Sequence, residues 1–175
     1  MSYDIFLISD THFGHQGCYE FFNYNGTKMR PYNNFEESDE IMVQNWNNTV
    51  KPTDKIYILG DVVFKASYGN IILPRLNGKK ILIKGNHDLC KLSFYSKYFY
   101  DIRGCHNFEN YIMTHIPVHP DSKSRFIRNL HGHVHANTLR NKWYKNCCVE
   151  VNNYTPIPFE DIKKETQELI DNGII

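Results

Sequence analysis

Short apolar runs, each closed by a small polar cluster, recur along this chain. Residues 4–9 read as a first strand and lead into Asp10-Thr11-His12. Residues 55–59 read as a second and end in Gly60-Asp61; residues 80–84 read as a third and end in Gly85-Asn86-His87-Asp88. Such runs, bounded by turn-forming residues, suit buried strands. Between the first two, Asn34 fits a helix N-cap with Glu37 three residues on. That helix is expected to reach about Asn48, with Ile41, Met42, Asn45, Trp46 and Thr49 on one face. A second helix is expected over residues 68–76, weakened by Gly69 and Pro74, before the Asn77-Gly78 turn. Apolar strands alternating with helices imply a parallel sheet with helices on a face. The second half reads differently. Residues 98–102, 111–114, 127–130 and 147–151 are short strand candidates joined by turn-rich segments, which predicts a second, mixed or antiparallel sheet. Residues 158–172 form a closing helix with Phe159, Ile162, Thr166, Leu169 and Ile170 as its stripe and Gly173 as its stop. No repeat, low-complexity segment or linker interrupts the chain, so residues 1–175 are expected to form a single domain.

Composition narrows the classes. Lysine plus arginine (20) almost balances aspartate plus glutamate (19), so no strong global field draws the protein to nucleic acid or an anionic membrane. The start, Met1-Ser2-Tyr3-Asp4, lacks a leader pattern. No run approaches the roughly 18 apolar residues of a membrane helix, and a cytoplasmic protein is expected. Cys18, Cys90, Cys105, Cys147 and Cys148 lack zinc-ribbon spacing and read as reduced thiols.

The polar clusters carry the chemistry. Asp10 and His12 stand two apart, as do His133 and His135, so in extended backbone each pair points to one side. Residues 13–32 read as a loop, with Gly14, Gly17, Gly26 and Pro31. With Asp61, Asn86 and His115, the pairs make seven candidate ligands at strand ends: Asp10, His12, Asp61, Asn86, His115, His133 and His135. Mixed imidazole and carboxylate donors suit Mn, Fe, Zn, Co or Ni. The set is too large for one tetrahedral ion and fits two ions sharing a carboxylate. Such a pair can hold a hydroxide and clamp a phosphoryl group. Singly the elements are weak, since Gly60-Asp61 alone is a plain turn; their order is what is specific. His15, Arg30, His119 and Arg125 are candidates for phosphate contacts, against the alternative of solvated loop charges. Trp46 and Asn47 fit packing and capping, and His131 fits a structural hydrogen bond.

Asp10-x-His12, Gly60-Asp61, Gly85-Asn86-His87-Asp88, His115 and Gly132-His133-x-His135 resemble the signature blocks of the calcineurin-like metallophosphoesterase superfamily. Ser9-Asp10-Thr11-His12-Phe13-Gly14-His15, Arg30-Pro31, Trp46-Asn47, Leu130-His131-Gly132-His133 and Asn153-Tyr154-x-Pro156 resemble a small single-domain bacterial and phage branch. The resemblance implies an α/β fold, a two-layer β sandwich flanked by helices, with a dinuclear centre at one edge. It implies one ion held by Asp10, His12, Asp61 and His135, and another held by Asp61, Asn86, His115 and His133, with Asp61 bridging. His87 resembles the family's general acid. Asp88 is expected either to orient His87 or to cap the turn. The chain departs from the protein-phosphatase branch at Phe64 and Lys65, where that branch has an aspartate and an arginine.

The expectation is a metal-dependent phosphoesterase acting on a small phosphorylated substrate, a nucleotide or phosphodiester. Mn²⁺ is the first expected metal, with Fe, Zn, Ni and Co as alternatives. No membrane partner is expected. A nuclease acting on DNA or RNA is the rival; Lys79, Lys80, Lys84, Lys123, Arg125 and Arg128 would then line a groove. A non-catalytic metal-bound binding protein is the other rival.

Overall fold

The computed structural model describes residues 3–23 and 26–175. Met1 and Ser2, which open the stretch without a leader pattern, and Tyr24 and Asn25, inside the expected loop, lie outside them. In chain order the main elements are β1 (Ile5–Ile8), α1 (Phe35–Thr49), β2 (Lys55–Ile58), α2 (Ala66–Ile72), β3 (Lys79–Ile83), α3 (Leu92–Tyr95), β4 (Asp101–Arg103), β5 (His106–Phe108), β6 (Tyr111–Met113), β7 (Arg128–His131), β8 (Tyr144–Asn146), β9 (Ile157–Pro158) and α4 (Phe159–Asp171).

Two sheets result. The first has the order β4-β3-β2-β1-β9, parallel except for β9. Its strand order advances one way, so successive crossovers carry α1, α2 and α3 to one face. There Met42, Val43 and Trp46 of α1, Ile72 of α2 and Phe94 of α3 pack on Phe6, Ile8, Ile56, Ile58 and Leu82. The intervening residues Leu7, Tyr57, Leu59, Ile81 and Ile83 turn to the other face. There they meet Tyr111, Met113 and Leu130 from the second sheet and Cys147 just beyond it, with Phe159 and Ile162 of α4. Both faces of β1–β3 are therefore buried, which explains their unbroken apolar runs. The second sheet, β5-β6-β7-β8, is mixed: β5 and β6 are antiparallel, and β6, β7 and β8 run parallel. The two-layer β sandwich flanked by helices is the architecture expected.

Local chemistry explains most boundaries. Asn34 caps α1, its side chain accepting from the Glu37 amide (2.9 Å). Glu37 Oε2 accepts from the Asn33 amide (3.0 Å), one residue upstream of a standard capping box. Val43 replaces Ile41 on the buried face of α1. Trp46 is buried, its indole donating to Asn77 O (3.0 Å), and Asn47 braces the same turn. Pro74 confines α2 to Ala66–Ile72, with a 3-10 turn beyond it. The expected strand at residues 147–151 is corrected. The strand is β8, three residues earlier; Cys147 and Cys148 then turn toward the first sheet, where Cys148 bridges Ser9. Strand β5 and helix α3 were not expected. All five cysteines are free thiols. Among the described residues no helix is long and apolar enough to cross a membrane.

Asp39, on α1, supports the loop after β1. It is buried, and its Oδ2 accepts from the Gly14 amide (2.7 Å), with the Tyr68 hydroxyl also bearing on the carboxylate. Burial pushes its carboxyl from 3.8 up to about 7, against the opposing pull of the Gly14 bond. The folded state thus holds a proton that the unfolded chain releases, so this group's stabilising contribution falls as pH rises from about 4 to 7. Asp39→Asn should match the wild type near pH 4 and be more stable by roughly 4 kcal/mol at pH 8. Denaturant melts at both pH values check this; a constant difference would contradict it.

Candidate metal centre

Parallel pairing brings the carboxyl ends of β1, β2 and β3 to one edge, and β6 and β7 end beside them. His133 N donates to Asp10 Oδ2 (2.8 Å), and His115 Nδ1 donates to Leu59 O (2.7 Å), so the ends of both sheets interlock. Close approach there depends on missing side chains. A Cβ at Gly85 would collide with the Asp61 carboxylate and amide, and one at Gly132 with Ser9 and the Asp10 carboxylate.

All seven candidate ligands converge, in two halves that share Asp61. In one, His12 Nε2 lies 3.8 Å from Asp10 Oδ1 and 3.6 Å from Asp61 Oδ2, and His135 Nε2 lies 3.9 Å from Asp10 Oδ1. In the other, His115 Nε2 lies 3.3 Å from Asp61 Oδ2 and 2.8 Å from Asn86 Oδ1, and His133 Nδ1 lies 3.0 Å from Asn86 Oδ1. Donors bound at roughly 2.1 Å around one ion stand about 3–3.5 Å apart, close to these spacings. Asp61 Oδ2 faces both His12 and His115, as a bridging oxygen would.

Three further observations fit metal binding. First, Asp10 Oδ1 and His12 Nε2 are buried without a hydrogen-bond partner, although buried polar atoms normally have one. Second, the second nitrogen of two imidazoles is already engaged. His115 Nδ1 donates to Leu59 O and His135 Nδ1 to Glu150 Oε1 (3.1 Å), which leaves Nε2 of each ring as the nitrogen available to an ion. Third, Asp10, His12, Asp61, His133 and His135 all adopt left-handed backbone, with φ of 59°, 46°, 54°, 70° and 50°. Each such residue costs on the order of 1 kcal/mol, and such strain gathers at functional sites. Burial works to raise the Asp10 and Asp61 carboxyls, but the surrounding imidazoles outweigh it and hold both below the ordinary carboxylate value. A cation is the group these anionic, lone-pair-rich atoms accommodate.

A second layer holds the ligands. Glu150 is buried between Arg30 and His135: its Oε1 accepts from Arg30 Nε (3.0 Å), Arg30 Nη2 (2.8 Å) and His135 Nδ1. Arg30 also donates to the carbonyls of Thr11 (2.9 Å) and Asp10 (2.6 Å), fixing the backbone of the first ligand pair. Arg30 is fully buried, so its expected role as a phosphate contact is corrected; its charge neutralises Glu150 instead. Of the two roles expected of Asp88, the structure shows the turn cap. The buried Asp88 carboxylate accepts from the amides of Asp61 (2.9 Å), Val62 (3.0 Å) and Gly85 (2.8 Å). His131 is buried, with Nδ1 donating to Gly132 O (2.9 Å).

The remaining candidates divide by position. His87 is exposed at the rim, its ring centroid 5.6 Å from that of His12, and its amide donates to Asp61 Oδ1 (2.7 Å). His15 lies 5.5 Å from His12 and stacks flat on Phe64 at 4.0 Å. Burial, then the neighbouring His12 and His87, push His15 down to about 4, so it is neutral at pH 7. His12, His15 and Cys18 also cluster, with Cys18 Sγ 3.2 Å from His15 Nδ1. His119 and Arg125 are exposed; His119 caps the 3-10 turn Pro120–Ser122 and Arg125 lies over the Phe126 ring, and no described contact joins either to the ligands. Glu150 was missed. Its signal was a lone carboxylate in the apolar stretch Cys147-Cys148-Val149-Glu150-Val151, which demands a buried partner.

The sequence model of the calcineurin-like phosphoesterase family matches residues 3–170. The chain belongs to that family. Calcineurin-like phosphoesterases use divalent metals to hydrolyse phosphoesters, and the converging ligands give this member a place to hold them. This phosphoesterase is also 34% identical to an uncharacterized protein of Methanocaldococcus jannaschii, MJ1445, over 97% of this chain and 92% of the relative. Its structure is similar to that of AQ665, a protein of unknown function from Aquifex aeolicus. The TM-score is 0.73 at 26% identity, covering 93% of this chain and 99% of the other.

Proposed function

We propose that this phosphoesterase hydrolyses a small phosphorylated substrate, a nucleotide or a phosphodiester, with two divalent ions and with His87 as the general acid. Asp10, His12, Asp61 and His135 would hold one ion; Asp61, Asn86, His115 and His133 would hold the other. Bound there, the ions supply a nucleophile from water at neutral pH and neutralise charge on the phosphoryl group. The observation that carries the reading is Asp61 Oδ2 facing His12 and His115 from between the two halves.

The chain's own residues do the rest. Arg30 and Glu150 fix the first half, Leu59 O and Asp88 fix the second, and His87 stands at the open rim where a leaving oxygen would depart. The basic residues that a nuclease groove needs are scattered, which favours a small substrate. Arg128 is buried against Glu165, and Lys80 donates to Leu76 O. Lys79 and Lys80 open β3 at the end away from Gly85, and only Lys84 lines a cleft beside Asn86 and His115.

His87→Ala should lower turnover of alkyl phosphoesters by roughly 10²–10⁴-fold. The loss should be much smaller for p-nitrophenyl esters, whose leaving group needs no proton, and metal content should not change. Equal losses on both ester types would remove His87 from the acid role. A panel of nucleotides, cyclic nucleotides and oligonucleotides, run with Mn²⁺ and with Ni²⁺, tests the substrate class. Turnover confined to oligonucleotides would favour the nuclease.

A further inference from the structure

We propose that the cavity beside His135 is a nucleobase subsite. The inference rests on the phosphoesterase reading above and names the organic half of its substrate. The cavity is about 260 Å³ and is lined by Phe22, Asn23, Met29, His135, Ala136 and Asn137. Drug-sized ligands occupy roughly 300–1,000 Å³, so this space suits one flat ring system rather than a large ligand.

Position is the first argument. His135 is at once a wall of the cavity and a member of the Asp10 cluster, 3.9 Å from Asp10 Oδ1. A group seated in the cavity is therefore adjacent to the place where phosphorus would sit. Lining chemistry is the second argument. Phe22 is 64% exposed and lines the same cavity as His135, so its ring is open to a group seated there. Such a ring is useful for stacking a base. Met29 adds a polarisable thioether wall. The Asn137 side-chain amide offers a donor and an acceptor and Asn23 offers its Oδ1 as an acceptor, groups that complement a base edge. Asn23 Nδ2 is held by Thr27 Oγ1 (3.1 Å), which sets its plane.

Local backbone supplies the third argument. Phe22 pairs with Lys28 in an antiparallel bridge, and Met29 N donates to Phe21 O (2.9 Å). Phe22 and Met29 are thus held as two sides of one turn-back, not as independent loop residues. The cleft on the other flank of the centre, lined by Lys84, Asn86, His115 and Ile116, has no aromatic wall. The base is therefore assigned to the His135 side.

The test is titration calorimetry of the Mn²⁺-loaded protein with a 5′-methylenephosphonate in two forms, adenosine and base-free ribose. The C–P bond resists hydrolysis, so binding is read without turnover. The adenosine form should bind about tenfold more tightly, the scale of one stacked base. Phe22→Ala should shrink that ratio to about twofold, and Phe22→Tyr should restore it. Phe22 is largely exposed, so its truncation leaves the core intact. A ratio near one in the wild type, binding of neither compound, or a ratio that survives Phe22→Ala each overturns the subsite. Hydrolysis of methyl p-nitrophenyl phosphate is assayed alongside. Turnover with a ratio near one sinks the subsite alone; a tenfold ratio without turnover of any phosphoester sinks the phosphoesterase reading and leaves the base site standing.

Discussion

Asp61→Asn is expected to reduce phosphoester turnover by roughly 10³-fold or more and to lower bound metal from about two equivalents to one or fewer. The substitution is close to isosteric. An asparagine Oδ1 can still accept from the His87 amide as Asp61 Oδ1 does at 2.7 Å, so the turn after β2 keeps its shape. What is lost is the charge on the oxygen that faces both His12 and His115. Neutral oxygen bridges two cations poorly, and both halves of the centre weaken together. Circular dichroism should match the wild type while metal analysis and kinetics do not. Retention of the full metal complement with turnover within tenfold would remove Asp61 from the bridging position.

Glu150→Ala should be the most destabilising change in the second layer. Arg30 and Glu150 are almost completely buried, and removing the carboxylate strands a guanidinium in the interior. Breaking a buried pair in this way costs about 3–5 kcal/mol, a fall in melting temperature of roughly 10 °C for a domain this size. The variant also frees His135 Nδ1, so metal affinity should weaken by about 10–100-fold. Combining Arg30→Met with Glu150→Met removes the stranded charge and should recover about half the stability. Full recovery is not expected, because Arg30 also satisfies the carbonyls of Thr11 and Asp10. A Glu150→Ala protein melting within about 2 °C of wild type would show that the pair is not structurally important.

The strands that carry ligands were legible because physics marks them twice, as uniformly apolar runs and by the polar residues that end them. Both faces of β1, β2 and β3 are covered, so no alternation blurred the pattern. The second sheet was less legible, since its strands have three or four residues and pairing across the sheet defines them more than local sequence does. Cys147 and Cys148 illustrate the error: they are apolar because they are buried at a turn, not because they extend a strand. In the site, the candidate ligands were named by residue type and by their places at strand ends, and they converge; the extended backbone expected to align Asp10 with His12 and His133 with His135 is instead left-handed, and the supporting roles were not legible. Arg30 meets Glu150 across 120 positions, and nothing near Arg30 distinguishes a buried guanidinium from a solvated one. Asp88 sits next to His87 in sequence, yet its carboxylate points back to the amides of the preceding strand ends.

The pairing of β1 with β9 sets a condition on when the protein can become an enzyme. Leu7 and Ile157 lie side by side, so β1 gains its antiparallel neighbour only from β9, which follows every other named strand in the sequence. Pairings between residues this distant form slowly, because loop closure must precede the contact that rewards it. The ligands share that delay, since Asp10 meets His133 and His135 only once the second sheet has docked. A centre drawn from both sheets is therefore closed only after they dock, and Asp10, His12 and Asp61 wait for His133 and His135.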